Sequence, residues 1–164
     1  ADFQCPFCGK FFKETYAKII DNYVKTGRVL FVNQDFAFLG PESQDAAEAA
    51  RCANDQGKYA EYHDRLYNFI WNNYYAKGEN GENVGAFSKD NLKKFAADLK
   101  LDTGKFNTCL ENGMHTIAVQ ESTSSGRMFG VSGTPAFFIN GELVTGALPF
   151  VEFQRVIESK LKKN

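Results

Sequence analysis

Cys5-Pro6-Phe7-Cys8, followed at once by a stretch of helical periodicity, constrains this chain more than any other feature. Two sulfurs at that spacing can close into a small ring, and a helix starting there sets the first sulfur against unpaired first-turn amides that favour a negative partner. With Cys5 at the N-cap, Pro6 takes the first helical position, where its fixed φ suits the helix and its missing N–H costs nothing. A cysteine so placed can fall from a pKa of about 8.5 into the range of roughly 3.5–7.5. Stabilising the thiolate stabilises the reduced pair, so the disulfide becomes a better oxidant. The pattern predicts Cys5 as nucleophile and Cys8, one turn in and less exposed, as resolving thiol.

The same spacing is half of many zinc sites, and the chain also offers Cys52, Cys109, His63 and His115. A structural zinc site usually shows a second closely spaced pair, which this sequence lacks, so no metal is expected. A purely structural Cys5–Cys8 bridge would remove little entropy from the unfolded chain, because the loop is so short.

A chain of 164 residues suits one domain, or a small core carrying an insertion, and is long enough to bury a real core. A net charge of −1 without a basic stripe points away from nucleic acid, and no run of 18 apolar residues suggests a membrane span. Sixteen Phe and seven Tyr supply aromatic surface for core and grooves. Four cysteines permit two disulfides, which fits an oxidising compartment. No leader is visible, so a periplasmic or otherwise extracytoplasmic location is an expectation from chemistry rather than from an address.

Phe12, Tyr16, Ile19, Ile20 and Tyr23 recur at helical spacing between Pro6 and Thr26, with Gly27 as a C-terminal stop. Val29-Leu30-Phe31-Val32 reads as a strand covered on both faces, continued by Phe36 and Phe38. About residues 42–129 read as helices. An alanine-rich helix ends near Gly57, a second carries Tyr59, Tyr62, Leu66, Phe69, Ile70 and Tyr74, and a polar loop holds Gly78, Gly81 and Gly85. Ser88 and Asp102 are candidate N-caps, and Leu101 with Phe106 stands at hydrophobic-staple positions. The Ser/Thr-rich stretch from Thr116 to Phe129 is a weaker helix. Ala136–Ile139, Asn140-Gly141 and Leu143-Val144 predict a hairpin, and Pro149 opens a last helix with lysines near its end. Glu42, Asp45 and Glu48 read as a solvated helix face. His63 and His115 read as surface or helix-packing residues, and Cys52 and Cys109, taken alone, as buried hydrophobes.

Asp2-Phe3-Gln4-Cys5-Pro6-Phe7-Cys8, Arg51-Cys52-Ala53 with Gln56-Gly57, and Gly133-Thr134-Pro135 leading into Phe138-Ile139-Asn140-Gly141 resemble, in order and over nearly the whole chain, a DsbA-like thiol:disulfide oxidoreductase of the thioredoxin superfamily. The resemblance implies an α/β fold: a thioredoxin-like core in residues 1–40 and 130–164, with an all-helical domain inserted at 41–129. It implies a cis Thr134–Pro135 bond beside the sulfurs, Thr134 and Pro135 helping to bind an extended substrate, and a structural Cys52–Cys109 disulfide. Phe7 stands where well-known periplasmic oxidases of this type carry histidine, and threonine before the proline also occurs in isomerases. The strand expected ahead of Cys5, central in this fold, is missing from the chain. An upstream segment carrying an apolar strand is therefore expected in the natural polypeptide.

The implied reaction is oxidation of thiols on reduced or unfolded secreted proteins, without metal or organic cofactor. A membrane redox partner of the DsbB or vitamin-K-epoxide-reductase type would reoxidise the pair. The alternatives are a disulfide isomerase or reductase using the same centre, and a redox-silent peptide-binding or chaperone module.

Overall fold

The computed structural model describes residues 1–162; the last two residues of the expected core segment, including the last of the C-terminal lysines, lie outside the described residues. Helix α1 runs through residues 6–24. It is α-helical over Pro6–Phe11 and Ala17–Ile19 and widens to π-turns over Phe12–Tyr16 and Ile20–Val24. Beyond it the chain reverses at Gly27, whose φ of 73° is open to a residue without Cβ.

Six further helices and one hairpin follow. These are α2 (Pro41–Asn54), α3 (Tyr59–Asn73), α4 (Lys89–Asp98), α5 (Thr103–Glu111), α6 (Thr116–Met128), β1 (Ala136–Ile139), β2 (Glu142–Thr145) and α7 (Phe150–Leu161). A 3₁₀ turn, Tyr75–Lys77, follows α3. Asp102 caps α5 by accepting from the Lys105 N–H at 3.0 Å, whereas Ser88 holds the N-cap position of α4 without a side-chain cap bond. The hairpin is antiparallel, pairing Ala136 with Thr145 and Ile139 with Glu142, and Asn140 and Gly141 both take positive φ, as such a two-residue turn requires.

Helix α1 is the wall shared by two cores. On one side Cys5 and Cys8 lie in a buried cluster with the alanines of α2, Tyr62, Leu66, Tyr67 and Ile70 of α3, and Leu92, Phe106 and Leu110 beyond. On the other side Phe11, Ile19 and Tyr23 meet Val144, Phe153, Val156 and Ile157. Three rings join helix, strand and helix there: Phe11 to Phe137 at 4.6 Å, Phe137 to Phe153 at 4.8 Å, and Phe11 to Phe153 at 5.4 Å between centroids.

Residues 29–32 are not the doubly covered strand that their apolar run predicts. They have no regular secondary structure and pair with no strand, and Leu30 and Val32 are 86% and 60% exposed. The reason is the sheet itself, which among the described residues has two strands, neither of them paired with this stretch. Between residues 29–34 and β1 lies an open groove of about 590 Å³ floored by Ile19, Phe153 and Ile157. At its end the Ala1 amino group donates to Gln34 O, and Phe36 N–H donates to Ala1 O, both at 2.7 Å, the pattern of a parallel rung.

The stretch from Asp35 to Ala37 is also held by helix α6. Ala37 N–H donates to Thr123 Oγ1 at 3.0 Å, Ser122 Oγ donates to Asp35 O at 2.9 Å, and a Cβ on Gly126 would fall 2.7 Å from the Phe36 ring. The Ser/Thr-rich sequence of α6, poor as a helix former, is thus explained by what it docks. Glu42 and Glu48 are also not a solvated face. Glu42 accepts from the N–H groups of Gly85 and Phe87, and buried Glu48 accepts from His115 N–H and Thr116 Oγ1. Both acids satisfy amides that would otherwise lack partners.

Cys52 in α2 and Cys109 in α5 are joined by a disulfide with a Cα separation of 5.9 Å, closing 57 residues of chain. Replacing both by alanine, with Cys5 and Cys8 kept in one redox state, should lower unfolding free energy by about 4 kcal/mol, a loop-entropy value to be checked by urea denaturation.

Candidate active site

The tetrapeptide ahead of α1 is pinned by a buried polar network. Asp2 accepts from Gln4 N–H and Ser43 Oγ through one carboxylate oxygen, both at 2.8 Å, and from Phe38 and Leu39 N–H through the other, at 3.0 and 3.2 Å. The Gln4 amide donates to Ser43 Oγ at 2.7 Å and accepts from Asn83 N–H at 2.6 Å. Tyr67 and Tyr75 hydroxyls donate to the carbonyls of Asp2 and Gln4. Four carboxylate bonds to a 1% exposed side chain leave this segment little freedom, so Cys5 enters the helix from a fixed direction.

Cys5 takes the N-cap position with extended φ and ψ of −70° and 122°, and Pro6 opens the helix. Cys5 and Cys8 are free thiols, both buried, whereas Phe7 between them is 61% exposed. Far along the chain, the cis Thr134–Pro135 peptide bond brings Thr134 against the same sulfur. In the thiol form Cys5 Sγ–H donates to Thr134 O at 3.3 Å. The loop is tied in turn to the hairpin, since Gly146 N–H donates to Pro135 O at 2.8 Å.

The two thiols are driven apart in acidity. Cys5 is lowered to about 6, chiefly by the Cys8 thiol donating to its sulfur, with the Thr134 hydroxyl and the N–H groups of Cys8 and Phe7 adding to this and burial opposing it. Cys8 is pushed well above 9 by burial first, then by its bond and its repulsion with the Cys5 sulfur. The amide field that the motif suggests is present but secondary, and the Cys5 side chain makes no capping bond in the thiol form. The Thr134 hydroxyl is buried without another partner, so ionisation of Cys5 gives it one.

Below the pair, a cavity of about 30 Å³ is lined by Cys8, Tyr16, His63, Tyr67 and Pro135, among others. His63 is a packing residue, 5% exposed, its ring within 6 Å of Phe3, Phe12, Tyr16, Tyr59 and Tyr67 and its Nδ1 2.9 Å from Asp64 Oδ1. A Cβ on Gly9 would come within 3.1 Å of the Trp71 ring, which closes the helical side. The structure therefore gathers Cys5, Cys8, Thr134 and Pro135 in one place, while Cys52 and Cys109 belong to the α2–α5 contact. No sequence pattern marks the Asp2–Gln4–Ser43–Asn83 network. Its partners lie roughly 40 and 80 positions apart, and no local pattern joins them.

A family model described as thioredoxin matches residues 1–159. The chain is 29% identical over 140 residues to the Na⁺/H⁺ antiporter NhaA 1 of Salinispora arenicola, a match covering 85% of this chain and 19% of that protein. It thus spans about a fifth of the length of the first antiporter relatives. Disulfide bond formation protein D of Bacillus subtilis is 23% identical over 163 residues, covering 98% of this chain and 70% of that one. Among solved structures, oxidised BdbD from Bacillus subtilis superposes with a TM-score of 0.84 at 19% identity, over 99% of this chain and 84% of its own. Wolbachia pipientis alpha-DsbA1 gives 0.83 at 21%, over 99% and 83%. At such identities the likeness is one of fold.

Cys8→Ala removes the largest influence holding Cys5 acidic, and Thr134→Val a smaller one. Both substitutions should move the midpoint of iodoacetamide reactivity at Cys5 upward from about 6, Cys8→Ala by more. In the unaltered dithiol protein at pH 7, mass spectrometry should find the label on Cys5 and not on Cys8.

Proposed function

The chain belongs to the thioredoxin family, and from that premise we propose that it is a DsbA-like thiol:disulfide oxidoreductase that oxidises protein thiols through a Cys5–Cys8 centre. The opposite shifts of two neighbouring thiols support this most directly. A substrate thiolate attacks the Cys5 sulfur of the disulfide and expels Cys8, forming a mixed disulfide. Cys8 takes up a proton, as burial of its charge demands, and the cavity shared with His63 and Tyr67 offers a route. The substrate's second thiolate then attacks its own sulfur in the mixed disulfide. Cys5 leaves as a thiolate, and its low pKa makes it a good leaving group.

Exposed Phe7 gives a client chain apolar contact beside Cys5, and the backbone at Thr134–Pro135 is the surface on which an extended substrate is held. Clients are reduced or unfolded secreted proteins, and the centre is returned to its disulfide by a membrane redox partner of the DsbB or vitamin-K-epoxide-reductase type. The setting is extracytoplasmic. No described helix is long and apolar enough to cross a membrane. Isomerase or reductase activity is the second reading, which threonine ahead of the cis proline favours.

The sign of the pH effect follows from the depressed Cys5. Relative to the unfolded dithiol chain, its thiolate contributes stability that grows from about pH 6 toward 9 and is lost as pH falls through about 6. The dithiol protein should therefore gain stability over the disulfide form between pH 5 and 8, measured by denaturant titration of both. Paired assays decide direction: oxidation of a reduced dithiol peptide should outpace insulin reduction, with a reduction potential nearer about −120 mV than about −270 mV. A value near the lower figure would favour the reductase. Client binding retained by Cys5→Ser/Cys8→Ser, with no turnover by the unaltered chain, would favour a chaperone.

A further inference from the structure

The second cysteine pair sits in a setting that a plain structural bridge does not require. Ligand atoms of Cys52, Cys109 and His115 all lie within 4.8 Å of one another, although they come from α2, α5 and the residue that starts α6. Asp55, at the end of α2, has Oδ2 2.7 Å from His115 Nε2 and 3.9 Å from Cys109 Sγ. His115 is itself held in place, since its N–H donates to buried Glu48, which also binds Thr116 at the start of α6. Two sulfurs and an imidazole thus converge where three helices are clamped together, and the Asp55 carboxylate stands against the imidazole and the Cys109 sulfur as a fourth donor. Zinc at about 2.3 Å from sulfur and about 2.0–2.2 Å from nitrogen or oxygen needs ligand atoms roughly 3.3–3.8 Å apart, within reach of small rotations here.

We propose that reduction of the Cys52–Cys109 disulfide turns this cluster into a four-coordinate zinc site, with Cys52, Cys109, His115 and Asp55 as ligands. A dithiol reductant is oxidised to its own disulfide, and its two electrons and two protons pass to the sulfurs of Cys52 and Cys109. Zinc then binds both sulfurs as thiolates, and two protons leave to solvent. The Cα separation of 5.9 Å leaves the sulfurs free to part without moving the helices. The cysteines are buried, while His115 keeps about a quarter of its side chain exposed and so provides the path of entry. The cation replaces the covalent cross-link, so the α2–α5 contact survives in a reducing setting. The site is independent of the Cys5–Cys8 centre and of the function proposed for it.

The test uses the full chain carrying Cys5→Ser/Cys8→Ser, which removes the other thiol pair, reduced with a phosphine and titrated anaerobically with Co²⁺ as the probe. One Co²⁺ per chain is expected, with tetrahedral visible bands and sulfur-to-cobalt charge transfer, displaced by zinc. His115→Ala should weaken binding at least about tenfold, and Asp55→Asn by less, with circular dichroism confirming that each variant stays helical. Because two protons are released, affinity should fall by up to about a hundredfold per pH unit on the acid side. Two titratable thiols with no charge-transfer band would overturn the proposal. So would binding indifferent to His115→Ala, or helix loss on reduction that zinc does not restore.

Discussion

The mutual influence of the neighbouring Cys5 and Cys8 thiols is the constraint on which the rest depends. It lowers one acidity and raises the other, and it works only if Cys8 stays buried while Cys5 sits at the helix start. Each condition has a structural cause. Cys8 lies on the face of α1 that closes against α3, and Cys5 is aimed by the Asp2 carboxylate and the Gln4 amide. Thr134, 129 residues later, completes the setting by meeting the same sulfur. A thiol bond of this kind counts for more in a dry site than in water, because competing solvent bonds are gone.

Helix α1 can serve this purpose because two different cores hold it. The helical block packs on its cysteine side, and the hairpin with α7 packs on its Phe11 side. A lone two-stranded ribbon is marginal in water, so the aromatic triad of Phe11, Phe137 and Phe153 and the docking of α7 carry the hairpin. The groove opens beside β1, where the two-stranded sheet has no further neighbour among the described residues, and the segment from Asp35 to Ala37 is kept in place by the hydroxyls of α6 together with the bond from Phe36 N–H to Ala1 O.

Much of this was legible in the residues. The Cys5-Pro6 helix start, the Asn140-Gly141 hairpin and the Asp102 cap are local patterns with local causes, and each appears where its chemistry predicts. Nonlocal features were not legible. Val29–Val32 has the composition of a buried strand, but burial needs a neighbour that composition cannot supply. Glu42 and Glu48 look like surface acids until the loop amides they serve are brought close by folding. The motif points to Cys5 through the amide field at the helix start, which is visible in sequence, whereas the neighbouring Cys8 and Thr134 bear on the same sulfur through positions that folding sets.

The most direct measurement of the central claim is thiolate absorbance near 240 nm across pH for the dithiol protein, with the disulfide form as blank. One ionisation near pH 6, assigned to Cys5 by its absence in Cys5→Ser, with no second thiolate until well above pH 9, is the predicted result. Two thiols ionising together near their ordinary alkaline value would contradict the account.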